Sequence, residues 1–256
     1  MSRVIVTREK LVAVADAVRE KTETSDALTL DEMPSAISGI KTGGDIKAFV
    51  KSLCEKTLTE CDNEAITKVG DYAFYDIRTL TVLNIPNVES IGASAFMRCT
   101  GIKAIDLPKC KTIGSSAFAS CNGVRSINVP VLESVQTGTF NSCTFATEIN
   151  CPMVKSIANQ GFYYASGLSR FDFLQLESIA THAFNQTKTA TLIIRTPSVC
   201  SLANTNAFLN SPIVRGEGYI YVPKSLVESY KSATNWATYA NQIRAIEDYP
   251  EVTGGL

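Results

Sequence analysis

Eight cysteines, one histidine and a row of regularly spaced acids and amides are the side chains through which this chain could do chemistry. Cys99, Cys121 and Cys143 stand 22 residues apart. A row of thiols suggests a metal site or a set of disulfides. Four observations argue against both. No two cysteines form a C-x-x-C pair, and His182 is the only histidine, which removes most His-dependent metal and catalytic arrangements. The same 22-residue position elsewhere holds Ile77, Ala165 and Thr187, so it asks for a small buried side chain, which a free cysteine supplies. Side chains repeated in a stack point the same way, which disfavours bridging. Cys54, Cys61, Cys110, Cys151 and Cys200 are read as unpaired too.

Carboxyl pairs fare no better. A glycan hydrolase needs two carboxyl groups about 5–10 Å apart. Asp106 and Asp172 are three repeats apart, roughly 14 Å at strand spacing. Asp106 and Glu148 are two repeats apart in neighbouring columns. Asp31 and Glu32 read as a helix start. No G-x-S-x-G, phosphate-binding loop or dinucleotide fingerprint is present. His182 shares its position with Tyr72, Ser94, Ser116, Gly138 and Gln160, a variability that suggests surface. The expectation is therefore no enzyme, no cofactor and no metal.

What remains is recognition. Asn84, Asp106, Asn128, Asn150 and Asp172 form one polar column, with Ser126, Glu148 and Arg170 beside it. On a stacked sheet such a column is either a binding face or a solvated surface whose amides bond along the stack. Tyr72, Tyr75, Tyr163 and Tyr164 combine apolar area with a hydroxyl; they suit recognition and could equally fill gaps. A protein or glycan ligand is the expected partner.

These columns exist because the sequence repeats. Phe74, Phe96, Phe118, Phe140, Phe162 and Phe184 are spaced by 22 residues, and Phe208 follows after 24. Five residues before each of the first six stands Val69, Ile91, Ile113, Val135, Ile157 or Ile179. Prolines recur at Pro86, Pro108, Pro130 and Pro152. Each unit carries a run such as LTVLNIP or IKAIDLP, in which Leu83 and Ile85 flank Asn84 and Ile105 and Leu107 flank Asp106. Period two predicts a strand with one buried face. Units this short bury their apolar faces only by stacking on one another. Leu174 replaces the column proline, and Ile194, Arg195 and Thr196 replace the usual ending, so register weakens near 168–212.

The pattern L-x-x-I-x-[ILV]-P followed by x-[ST]-I-G-x-x-A-F-x-x-C resembles the BspA-like, or Treponema-type, leucine-rich repeat family over about residues 55–212. The resemblance implies an α/β-type right-handed solenoid with a parallel sheet on one side, serving adhesion or binding rather than catalysis.

The ends read differently. Residues 7–21 place Leu11, Val14, Ala15 and Val18 on one helical face, and Thr29 with Glu32 fits a capping box. The run A-D-A-V-R-E-K-T-x-T-S-D-x-L-T-L-D-E-M-P-x-A-I resembles a helical segment that opens phage and prophage tail structural proteins, which would make virion or surface-assembly subunits further partners. Residues 219–222 suggest a last strand and 224–232 a helix, with Trp236, Tyr239 and Ile243 as apolar cover. The expected division is a helical module at 1–41, a linker at 42–54, the solenoid at 55–215 and a cap at 216–256.

The formal net charge is −1, with 45% hydrophobic and 19% charged residues: a foldable chain with no basic surplus for nucleic acid. No run approaches a membrane span, so membrane insertion is not expected. No signal peptide is seen, which favours a virion-associated or cytoplasmic setting over secretion.

Overall fold

A 22-residue unit cannot enclose its own side chains, so the units must share one core. The computed structural model describes residues 55–64 and 66–254, and there the units stack in parallel along a shared interior. The expected helical module at 1–41 and linker at 42–54, with Cys54, lie outside the described residues.

Two ladders run along the stack rather than the single sheet expected. One has seven strands of two residues: Lys68–Val69, Ser90–Ile91, Thr112–Ile113, Ser134–Val135, Ser156–Ile157, Ser178–Ile179 and Ser201–Leu202. They pair in parallel and in sequence order, with Ser90 opposite Thr112 and Thr112 opposite Ser134. The short [ST]-I run after the proline turn is thus a rung of its own.

The other ladder carries the polar column and is broken into three sheets. Glu60–Asp62 pairs with Val82–Asn84. Ala104–Asp106, Ser126–Asn128 and Glu148–Asn150 form the second sheet. Arg170–Phe173, Thr191–Ile194, Tyr219–Val222 and Ile243–Ala245 form the third.

No helix closes the repeat, so the α/β expectation is corrected: among the described residues, helical segments begin only at Thr205. The reason is local. Each A-F-x-x-C corner is preceded by one left-handed residue and contains another, Ser94 (φ 52°) and Arg98 (φ 66°) in one unit, Ser116 (φ 56°) and Ser120 (φ 60°) in the next. Left-handed residues do not propagate a right-handed helix. Amides of this corner bond to the next unit instead: Ser94 N to Ser115 O, Phe96 N to Ala117 O and Arg98 N to Ala119 O, at 2.8–2.9 Å.

The phenylalanines form the spine. From Phe74 to Phe208 all seven are buried, with neighbouring ring centroids 4.9, 5.2, 6.0, 5.5, 5.7 and 5.4 Å apart and planes tilted by 13° at most. Beyond Phe208 the column ends on Trp236, at 6.1 Å, and on the edge of Tyr239, at 5.5 Å. Side chains from this C-terminal part also take up backbone groups of the last repeat. Trp236 Nε1 donates to Cys200 O, Tyr239 Oη to Thr205 O and Asn235 Nδ2 to Leu202 O, while Cys200 N donates to Tyr230 Oη. An exposed rung edge is a template for unwanted pairing, and these bonds occupy it.

Candidate recognition face

The polar column lies on the outer side of the broken ladder, and its side chains bond along the stack. Asn84 Nδ2 donates to Asp62 Oδ1 at 2.8 Å. Asn128 Nδ2 donates to Asp106 Oδ1, and Asn150 Nδ2 to Asn128 Oδ1, both at 2.7 Å. Each chain of side chains starts at an aspartate, which only accepts, so every following amide must point its NH2 group back and its oxygen forward. The oxygen of Asn84 therefore faces Asp106, and that of Asn150 faces Asp172. The backbone sheet breaks at these same two junctions. The bonds Leu107 N to Asn128 O and Val129 N to Asn150 O are made within a sheet; their equivalents from Ile85 to Asp106 and Cys151 to Asp172 are not. Two acceptors meeting without a donor disfavour close approach.

Arg170 and Asp172 belong to a different setting from the other candidates. Arg195 donates to Asp172 from Nε at 2.8 Å and from a terminal nitrogen at 3.0 Å, and Arg170 is 3.7 Å from the same carboxylate. Both arginines also hold the C-terminal helix Pro250–Thr253: Arg170 donates to Val252 O at 2.7 Å and Arg195 to Thr253 O. Cations at a helix C-terminus complement its dipole. Beneath this helix lie Ile193, Tyr221 and Ile246, buried, with Tyr249 and Val252 packed on them. The expected open face thus meets the chain's own C-terminal segment at Asp172, which stays half-buried and still borders the surface. Glu148 is exposed and Ser126 half-buried.

The tyrosines form two pairs rather than one patch. Tyr72 and Tyr75 are 6.0 Å apart by ring centroid, Tyr163 and Tyr164 6.4 Å. Tyr72 and Tyr164 are over 40% exposed; Tyr75 and Tyr163 are half-buried, and Tyr163 Oη accepts from Gln186 Nε2 at 2.9 Å. Sequence reasoning passed over Phe145, exposed at 61%, the largest such value among the large apolar side chains of the described residues. Its signal was available: it stands where the neighbouring repeats hold Gly101, Gly123 and Gly167. His182 is half-buried and left-handed (φ 59°).

Among the described residues, two of the surface depressions lie beside these columns. One, of about 290 Å³, runs along the seven-strand ladder between Val135 and Ala203. The other, of about 450 Å³, lies over the second sheet break and is lined by Ile149, Asn150, Pro152, Asp172, Leu174, Arg195 and Gly254.

The thiols are interior groups. Cys99, Cys121 and Cys143 donate Sγ–H to the carbonyl oxygens of Phe74, Phe96 and Phe118 at 2.9, 3.1 and 3.3 Å, each one repeat back. Burial pushes Cys61, Cys99, Cys110, Cys143 and Cys200 up to about 12, and Cys121 and Cys151 upward as well. A nucleophilic thiol needs the opposite shift. Among the described residues no group of three or more His, Cys, Asp or Glu is placed to hold a metal. No described helix is long and apolar enough to cross a membrane.

Short parallel rungs, a shared apolar spine and columns of like residues define a leucine-rich repeat solenoid. Residues 67–191 match the BspA type leucine rich repeat region in six copies. A leucine rich cell surface protein from Faecalibacterium prausnitzii A2-165 is similar at 28% identity and a TM-score of 0.50, over 61% of this chain and 43% of that one. A leucine-rich repeat protein from Bacteroides ovatus shares the fold at 19% identity and a TM-score of 0.52, over 75% of this chain and 55% of that one. The chain thus spans about half the length of the solved structures it matches. No curated protein matches it. Proteins of this repeat type are typically surface or binding proteins.

Proposed function

We propose that the chain is a non-catalytic recognition module, a rigid rod that presents rows of side chains to a protein or glycan at a surface. The observation that carries this reading is the continuous spine of seven stacked phenylalanines. It fixes the rung spacing along the described repeats and so holds outward rows at a constant step. Polar side chains and Tyr72, Phe145 and Tyr164 stand outward on this frame, while the seven described thiols are buried. The similarity to a cell surface protein supports display on a cell. The resemblance of the N-terminal run to tail proteins supports a second mode of display, on a virion. In either setting residues 1–41 would join the rod to something larger.

The test is the full chain, immobilised and probed with an array of extracellular matrix proteins, bacterial envelope proteins and cell-surface glycans. Saturable binding to a protein or glycan class is expected. Absence of saturable binding to every member, or turnover of any probe, overturns the reading.

A further inference from the structure

We propose that the depression at the Asn150–Asp172 junction is a saccharide-binding site. This deepens the recognition reading above and rests on it. The argument starts from hydrogen-bond polarity. Asp106 fixes the direction of the amide chain, because its carboxylate can only accept from Asn128. Asn128 must then accept from Asn150, and the Asn150 oxygen is left pointing along the stack with no donor among the described residues. The next residue in the column is Asp172, again an acceptor. The ligand for this gap supplies donors.

The surroundings narrow its class. Two guanidinium groups, from Arg170 and Arg195, already stand against the Asp172 carboxylate, so a metal ion or an ammonium group would meet like charge. A neutral donor fits. The walls beside the gap are apolar: Ile149, Pro152 and Leu174 line the depression, and Leu174 is 46% exposed where earlier repeats carry proline. A pyranose ring has both features. Its hydroxyls donate to Asn150 Oδ1 and to the carboxylate of Asp172, and its C–H face covers Leu174 and Pro152. A volume of about 450 Å³ lies within the ordinary range of small-molecule sites. Gly254 also lines the depression.

The first junction, at Asn84 and Asp106, provides an internal control. It has the same meeting of acceptors, but it lies outside the lining of either depression. The experiment is a screen of the full chain on an array of neutral mono- and oligosaccharides, followed by titration of the strongest binder by calorimetry. Asn150→Leu and Leu174→Asp are each expected to weaken that binder about tenfold or more, the scale of one or two lost hydrogen bonds. Asn84→Leu is expected to leave it unchanged. Melting curves for all three variants verify folding, and a variant that does not fold is replaced by Asn150→Ser or Leu174→Ser. Unchanged affinity in both junction variants overturns the site and leaves recognition elsewhere on the rod intact. An array without any saccharide binder overturns it too; binding to proteins alone would then keep the broader reading, and binding to nothing would end both.

Discussion

Cys121 donates its thiol hydrogen to the carbonyl oxygen of Phe96, 3.1 Å away and 25 residues earlier in the chain. The same bond recurs from Cys99 to Phe74 and from Cys143 to Phe118. Each cysteine thus fills space beside the spine and satisfies a carbonyl where the phenylalanine corner turns. Ile77 and Ala165, at the same position in other units, fill space only.

Seven buried thiols make the chain sensitive to alkali. Their folded-state pKa values lie above the ordinary 9.0, about 12 for five of them. A raised value means the folded state holds its protons longer. The associated stability is complete below pH 9 and falls as pH rises toward 12. Each thiol that stays protonated in the folded state removes up to about 1.4 kcal/mol per pH unit in that window, so several together are large beside a domain's net stability. Reversible unfolding between about pH 9 and 10.5 is expected in reducing buffer, followed by circular dichroism. Replacing Cys99, Cys121 and Cys143 with alanine should lower neutral-pH stability yet flatten the alkaline slope. An unchanged slope would mean that these thiols reach solvent without unfolding.

Phe118 sits between Phe96 and Phe140 with no exposed surface. Phe118→Ala should cost about 3–5 kcal/mol, because rungs above and below are held apart by their own backbone bonds and cannot collapse into the cavity. Urea unfolding measures it. Phe118→Leu should cost less than half as much. Equal costs would show that ring stacking, not volume, is what the column requires.

The spine was legible in the sequence because stacking converts a period of 22 letters directly into contacts. Phe96 and Phe118 could be placed together without knowing any angle. The second ladder was not legible, since two-residue runs such as Ser90–Ile91 are too short to show a period of two. The left-handed residues escaped for a different reason. Tyr72, Ser116, Gln160 and His182 share a backbone conformation but no chemistry, and only Gly138 advertises it. At the candidate face, the polar column was visible, but the meeting of Asn150 with Asp172 depends on which way an amide points. The meeting of Asp172 with the C-terminal segment depends on Arg195, which broke the repeat pattern and pairs with a helix 58 residues further on.

Gly138 stands at φ 65° in that left-handed column, and a Cβ there would lie 3.1 Å from Ser116 Oγ. Gly138→Ala should therefore destabilise the chain by about 1 kcal/mol, through backbone conformation and a tight neighbour together. The reverse change at Ser116, also left-handed, should be neutral or stabilising, since relief of backbone strain offsets the added freedom of the unfolded chain. Thermal melting of both variants gives the signs. A stabilised Gly138→Ala would contradict the left-handed corner directly.

Arg195 is the hinge between the last sheet and the helix Pro250–Thr253. It bonds Asp172 at two points and the carbonyl of Thr253 at a third, with its charge favoured by the Asp172 carboxylate beside it. A lysine keeps the charge but not the planar fork. Arg195→Lys should cost on the order of 1.5–3 kcal/mol, the scale of hydrogen bonds to charged groups. The loss should be local. Amide exchange at Val252, Thr253 and Gly254 should accelerate, while exchange at Phe96 and Phe118 in the spine stays slow. Tyr221, held at 5% exposure under Ile246, should become reachable by surface-labelling reagents. Unchanged protection at Val252 and Thr253 would show that the apolar cluster of Ile193, Tyr221 and Ile246 holds the helix without help from the arginine.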